Sequence, residues 1–452
     1  MMGFGFAEIL ILAMLSGGMT TTDVVAMVQP THYFKSRNVE PTIDAMIDTI
    51  IVAPDTPKAQ IRQLVALRHL ADEADKFKKD KNYASNREAV EEVADGKRGK
   101  DPQGFAQEYA RQLLAKLDGK KHMPEKVRPL REDALSWFPD DVKLGVAFDV
   151  RPVETKGNDA VKDLLKMLPD QAKAAMYDQL EQVGNIRMER IAVGFVDADK
   201  EGERKFYVRF SGKANPAWIA PAIQRLSFGQ MEAKTFKAAD GTPIVTLREA
   251  NSEPMMALVG DSDLLIVGYD QFGANPNDLV TQVLEIRAKK KPSASAGALK
   301  DRLAKIPDKA TAFFVGELPK ESKHAFGNFE PLPSKIAAYL ERTNTGLSLK
   351  AESVMANKDE ADKLVGKIGE LRKQGIEGLK QAMKEPLPPG SPPVPFQALI
   401  GVMESFQVQS KTEKVEVSAF VTDGLIRELG QAAVFLGGGK TVTKDFDFKD
   451  KK

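Results

Sequence analysis

Cysteine is absent from this 452-residue chain. Disulfides, thiolate nucleophiles, cysteine-based zinc sites and iron–sulfur clusters are therefore excluded. Histidine is nearly absent as well: His32, His69, His122 and His324 are the only four. None stands three or four positions from another and no HExxH occurs, so a local histidine zinc site is excluded and a Ser-His-Asp site would need one of these four as its base. Excess charge is also missing, since 65 basic and 64 acidic residues leave a formal +1. No domain-scale basic field exists to hold nucleic acid, which requires several clustered phosphate contacts.

Long hydrophobic runs are lacking too. The longest, Phe4–Leu15 (FGFAEILILAML), is apolar except for Glu8 and falls short of the ~20 residues a membrane-spanning helix needs. Ser16-Gly17-Gly18 follows it, while no Lys or Arg precedes Lys35. A secretory signal has an apolar core and small residues at its cleavage point, both present here, and a basic start, which is missing. Residues 1–30 thus read as a signal or membrane anchor, or as a packed helix, with Thr22-Asp23 able to cap its neighbour. This stretch resembles the short glutamate-bearing anchors of twin-arginine translocase subunits, and that likeness ends with these first residues. The signal-or-anchor reading implies membrane association through residues 4–15 and a periplasmic or membrane-associated location.

What is present reads as an α+β chain. Residues 31–137 show helical periodicity: Thr42 caps Ile43–Ile51, Pro57 occupies a first turn, and Ile61, Leu64, Val65, Leu67 and Leu70 share a helical face. Asp101-Pro102 opens another helix carrying Phe105, Tyr109, Leu113, Leu114 and Leu117, with Gly119 beyond its end. Ala66-Leu67-(x)2-Leu70 and Leu113-Leu114-(x)2-Leu117 lie 47 residues apart. In that spacing, Leu64–Leu70 and Tyr109–Gly119 resemble HEAT helices.

From Phe138 the pattern changes. Phe138-Pro139-Asp140 opens an alternating run through Val142, Leu144, Val146, Phe148 and Val150, and Ile306-Pro307-Asp308 opens another ending Phe313-Phe314-Val315. Each is followed by helical sequence, strand pairs and further helix, so the spacing predicts two related antiparallel-sheet-plus-helix units over 138–305 and 306–436.

In the first unit, helices at Asp159–Leu168 and Asp170–Val183 precede Ile191–Val196, then a hairpin through Phe206, Val208 and Phe210. Asn215-Pro216 caps a helix, four strands follow near Met231–Lys237, Ile244–Arg248, Met255–Gly260 and Leu264–Tyr269, and Asn275-Pro276 opens another helix. In the second, Ile336–Leu340 and Leu347–Met355 form a hairpin, Lys358–Lys384 a long helix, and Gln407–Ser410 with Val415–Val421 the last hairpin before a helix to Leu436. Pro386–Pro395 is a stiff extended spacer, and 437–452 a disordered tail. Lys350 and Glu352 oppose Leu349 and Ala351, as in a sheet covered on one side and open on the other, and the open polar faces are candidate contact surfaces. The Met, Phe and Leu stripes read as core.

Motif-like stretches do not survive inspection. Gly437-Gly438-Gly439-Lys440-Thr441 lacks the first glycine of a phosphate loop and the strand before it. Asp197–Gly202 begins like a calcium loop, yet the twelfth position is Val208 and strands flank it, so it reads as a hairpin turn. Lys76–Lys81 and Gly96–Lys100 are basic runs with acidic neighbours and no stacking aromatics, which makes them solvated helix ends. His69, among Arg68, Asp72 and Glu73, reads as a surface histidine.

The x-Pro-Asp openings, the Asp240-Gly241 turn and the Gly260-Asp261-Ser262-Asp263 turn make residues 138–436 similar to poorly characterised bacterial envelope proteins built from duplicated α+β units. The resemblance implies no catalytic residue. No catalytic, cofactor-binding or metal-ligating residue is assigned. The expectation is a non-enzymatic binding or structural protein of the bacterial cell envelope, acting through protein–protein contacts. The alternatives are a hydrolase or ligand-processing enzyme with a site between the two units, and a soluble intracellular scaffold.

Overall fold

The computed structural model describes residues 20–122, 128–151, 169–196, 204–226, 231–249, 255–269, 277–317, 331–384 and 396–424. Several expectations lie outside these residues: those on Phe4–Leu15, the helix Asp159–Leu168, Asp197–Gly202, Asn275-Pro276, His324, Pro386–Pro395, the final helix to Leu436 and everything after it. Among the described residues are 14 helices and one 12-stranded antiparallel sheet, an α+β architecture.

Seven helices come first: α1 (Thr21–Val28), α2 (Pro30–Ser36), α3 (Ile43–Ile50), α4 (Pro57–Asp72), α5 (Ala74–Lys78), α6 (Tyr83–Ala94) and α7 (Phe105–Leu117). Their starts follow from side chains that accept orphan amide protons. Thr20 and Asp23 form a reciprocal capping box at α1, while Thr42 and Thr56 accept from Ala45 and Ala59 at α3 and α4. Asp101 serves α7 from outside it, accepting from the amides of Gln103 (3.0 Å) and Ala106 (2.5 Å). Proline at the first position of α4 fits, because that amide has no helical partner.

The apolar stripe Ile61, Leu64, Val65, Leu67 and Leu70 is fully buried against Leu113 and Phe105 of α7. α4 and α7, which carry the 47-residue spacing, pack on each other directly. The same core takes in Met176, Tyr177 and Leu180 of a later helix, α9 (Asp170–Val183).

After the short α8 (Leu130–Asp133), the sheet strands are β1 (Leu144–Asp149), β2 (Arg187–Val196), β3 (Lys205–Lys213), β4 (Met231–Lys237), β5 (Pro243–Glu249), β6 (Met255–Val259), β7 (Asp263–Tyr269), β8 (Ala310–Glu317), β9 (Lys335–Arg342), β10 (Gly346–Val354), β11 (Gln407–Lys411) and β12 (Lys414–Thr422). Their order is β11-β12-β10-β9-β8-β1-β2-β3-β7-β6-β5-β4. The strands before and after Ile306 thus form one continuous sheet, joined where β1 pairs antiparallel with β8. Outward from that join the order is β1, β2, β3, β7, β6 on one side and β8, β9, β10, β12, β11 on the other.

The remaining helices are α10 (Pro216–Leu226), α11 (Asn277–Arg287), α12 (Lys300–Leu303), α13 (Lys358–Ala382) and α14 (Phe396–Ser405). They divide between the two faces of the sheet. The inner face carries Gly145, Ala147, Ala192, Gly194, Tyr207, Phe313 and Val315, packed against Leu135, Phe138, Leu299 and Leu303 and against Leu279, Val280 and Val283 of α11. Two glycines paired across strands, Gly145 and Gly194, make this close approach feasible. A Cβ on Gly145 would lie 2.5 Å from Leu135 Cδ1, and one on Gly194 2.7 Å from the Phe138 ring.

Among the described residues, helices cover the outer face only toward its ends. Ile219 and Ala220 of α10 pack on Val245, Leu247 and Leu258, and Ala361 and Leu364 of α13 pack on Val415, Val417 and Val408. No described helix is long and apolar enough to cross a membrane.

Candidate binding surface

Between those two helical flanks lies the outer face of β3, β2, β1, β8 and β9. Strand register places its residues in three rows. Phe210, Ile191, Phe148, Ala312 and Leu340 form the first, Val208, Val193, Val146, Phe314 and Ala338 the second, and Phe206, Phe195, Leu144, Gly316 and Ile336 the third. All fifteen are apolar. Only the small Ala312 and Gly316 are buried, and Phe148 and Phe195 stand 44% and 45% exposed. At ~4.8 Å per strand and ~3.4 Å per residue, the surface is about 19 Å wide and about 14 Å long. That footprint of roughly 300 Å2 is comparable to the largest apolar patch of a typical monomer.

The helical stripes are core, as expected, but in β1 and β3 the expectation that the apolar stripe is core is overturned. In β1, Leu144, Val146 and Phe148 face outward, while the small Gly145 and Ala147 are the buried set. In β3, Phe206, Val208 and Phe210 face outward while Tyr207 and Arg209 are buried. The reason lies in the inner layer. The segment around Leu135–Val142 lies so close to β1 and β2 that Gly145 and Gly194 leave no room for a Cβ there, and nearby residues carry partners for polar side chains.

Those polar partners form a network. Buried Arg209 donates to Asp263 Oδ1 (2.7 Å) and to the Asp133 carbonyl (2.9 Å), and its guanidinium lies 4.0 Å from the centre of the Trp137 ring. Arg287 stands 5.3 Å from the same ring's centre. Arg190 reaches Asp133 at 2.6 Å and also donates to the Arg128 carbonyl. Burial pushes the Tyr207 phenol above its ordinary range. Every such charge has a partner, as buried charges require. The network ties loop to sheet and leaves the outer face without ionisable groups on its floor.

The helical region meets the sheet at the start of β2 and the end of β3. Arg187 donates through both terminal nitrogens to Glu108 (2.8 and 2.9 Å) and lies over the Phe105 ring. Burial opposes the Arg187 charge, but the Glu108 hydrogen bonds more than offset it, so its pKa stands above the ordinary value. Gln60 Oε1 accepts from the Asn185 amide (2.8 Å), and the Asn185 side-chain oxygen accepts from Thr22 (2.8 Å).

The three described histidines do not converge. His32 faces Asp170 (3.3 Å) and the Tyr177 hydroxyl (3.2 Å) at the outer end of α9. His69, expected on the surface, is only 8% exposed; its Nε2 lies 3.3 Å from the Pro41 carbonyl and its ring packs edge-on to Phe34. His122 follows the end of α7. Among the described residues no cluster of His, Asp and Glu is arranged to hold a metal. The basic runs pair locally, Lys76 with Glu73, Lys97 with Asp95 and Arg98 with Glu92. At the β10–β12 end, Lys350, Glu352 and Glu416 share the inner side and form an open polar surface with Tyr339 and Gln409, as their alternation predicts.

No family model and no curated protein matches the chain. Among solved structures, crystal forms I and III of TP0453 are similar at TM-scores of 0.34 and 0.32, with 9% and 10% sequence identity. These matches cover 67% and 68% of this chain and 98% of each of those chains. Likeness at this level carries no argument about what the present chain binds.

Proposed function

We propose that this chain is a non-enzymatic binding protein of the bacterial cell envelope, and that the bare centre of its sheet receives an amphipathic helix from a protein partner. The observation that carries the reading is the fifteen-position apolar lattice. A helix ~10 Å across fits a floor ~19 Å wide between α10 and α13, burying one side and leaving its polar side in water. An open floor without polar anchors suits such a ligand better than a small molecule, which needs enclosure and a few placed polar groups. Covering about 300 Å2 of apolar surface contributes roughly 7 kcal/mol on this side alone, before the cost of association.

In this reading the sheet consists of two copies of one unit, residues 138–305 and 306–436, whose leading strands β1 and β8 pair. The mirrored strand order around that pair supports the duplication. Residues 31–137, with their HEAT-like spacing, act as a rigid support at the ends of β2 and β3. An enzyme site between the units gains no support, because their junction is a strand ladder with apolar side chains outside and Ala147 and Phe313 buried inside.

The test is a titration of the full chain with a designed leucine-rich amphipathic helical peptide. Val146→Asp and Phe195→Asp should each weaken binding tenfold or more while leaving the melting temperature nearly unchanged. Binding that ignores both substitutions would sink the reading, and recovery of intact protein only from the cytosol would remove its envelope part.

A further inference from the structure

We propose that the inner face of the sheet, where it runs through β9, β10, β12 and β11, is a binding cup for a neutral saccharide. It lies on the opposite side of the sheet from the apolar lattice and does not depend on it. Strand register builds the floor. Tyr339, Lys350, Ser418 and Gln407 stand side by side on these strands, and Ala337, Glu352, Glu416 and Gln409 form the next row, two residues along. At ~4.8 Å per strand and ~3.4 Å per residue, the floor measures about 14 Å by about 7 Å. Lys305, just past the end of α12, adds a wall, and the volume of the cup is about 460 Å3. That lies within the ~300–1,000 Å3 typical of small-molecule sites.

The polar groups of the cup are only half engaged by the protein. Lys305 and Lys414 both approach Glu352 through Oε1, the second at 3.7 Å. Gln409 donates to Glu416 Oε2 (2.7 Å), which Lys411 also reaches at 3.3 Å. The Gln409 hydrogen bond, followed by that of Lys411, holds the Glu416 carboxyl below its ordinary value. Both carboxylates are thus fixed in place with one oxygen turned to other uses. Among the described residues, no hydrogen bond reaches Glu352 Oε2 or Glu416 Oε1. None uses the side chains of Tyr339, Lys350, Ser418 or Gln407 either.

This inventory selects a ligand class. Lys305 and Lys350 balance Glu352 and Glu416, so the cup presents no field of one sign to draw in an anion or a cation. An apolar ligand would strip water from these donors and acceptors and leave them unpaired. Sugar hydroxyls both donate and accept. They can take protons from Lys350 and Gln407 and give them to Glu352 and Glu416. Tyr339, the one aromatic ring in the lining, brings an apolar body with a polar tip, which suits the mixed surface of a pyranose. Two linked rings would cover the floor.

The test is an array of neutral and anionic oligosaccharides, chitotetraose and maltotetraose among the neutral ones, probed with the full chain and followed by calorimetry on the strongest hit. A neutral glycan should lead. Lys350→Ala with Gln407→Ala, both at exposed positions, should weaken it tenfold or more with the melting temperature nearly unchanged. Tyr339→Ala should also weaken it tenfold, and Tyr339→Phe, which keeps the ring, only severalfold. Val146→Asp, on the other face, should leave the sugar affinity as it was. An empty array, hits confined to anionic glycans, or an affinity indifferent to Lys350→Ala with Gln407→Ala would each overturn the cup. So would a sugar affinity that falls with Val146→Asp, since the glycan would then sit on the outer face.

Discussion

The β10–β12 end of the sheet and its β1–β3 centre alternate in the same way and are finished in opposite ways. At the end, the apolar side of β12 (Val415, Val417, Ala419) lies under α13 and α14, and Lys350, Glu352 and Glu416 face water. At the centre the apolar side is the one left outside, while glycine, alanine and a network of paired charges are packed within. Alternation reveals that two faces differ. It does not reveal which of them another layer will cover, because that depends on how near the layer comes and what it carries. A buried Arg209 is tolerable only because Asp263, Asp133 and Trp137 converge on it from distant parts of the chain.

The sharpest way to break this contrast is to place one charge on either face of the same strand. Ala147→Asp puts an unpaired carboxylate into a fully buried site, costing several kcal/mol, and should abolish soluble folded protein. Val146→Asp, one residue away, should leave a cooperative urea transition within about 1 kcal/mol of the parent. If the two behave alike, the assignment of faces is wrong.

Next in size is Asp263→Ala, which strips Arg209 of its closest charge partner. The expected loss is about 3–5 kcal/mol in chemical denaturation, with Arg209→Met plus Asp263→Leu recovering much of it. Gly194→Ala should cost about 1–3 kcal/mol, because the new methyl meets the Phe138 ring. Gly241→Ala, at a turn where φ is +82° but space is open, provides the strain-only comparison.

The smallest effect belongs to the surface. Arg87 holds the Asp118 carboxyl below its ordinary value through their hydrogen bond. A lowered carboxylate stabilises the fold above the ordinary Asp range (pKa ~3.9) and loses that contribution as pH falls through the folded value. The melting temperature of Asp118→Asn should thus trail the parent slightly at neutral pH and converge with it in acid.

Much of the architecture was legible in the residues. The Thr42 and Thr56 caps, first-turn Pro57, the hairpin that turns at Asp240-Gly241 and the long helix from Lys358 carry local signals, and local signals survive folding. The single sheet was not legible, since the β1–β8 pairing has no signature in either strand. Nor was the exposed surface: Val146, Phe148 and Phe206 have the composition of core strands, and only the Gly145 and Gly194 positions on the opposite parity hinted that something else would press close there. His69 misled because its charged neighbours Arg68, Asp72 and Glu73 mask a ring tucked under the Pro41 carbonyl.

The β1–β8 ladder has a consequence for how the chain is made. Val146 meets Phe314, more than 160 residues later in synthesis. Until β8 emerges, β1 presents a row of unsatisfied amides and carbonyls beside a greasy surface, the combination that invites pairing with the wrong strand. The nascent chain must therefore spend seconds with its most aggregation-prone edge unprotected, so expression of residues 1–305 alone should yield insoluble material where the full chain does not.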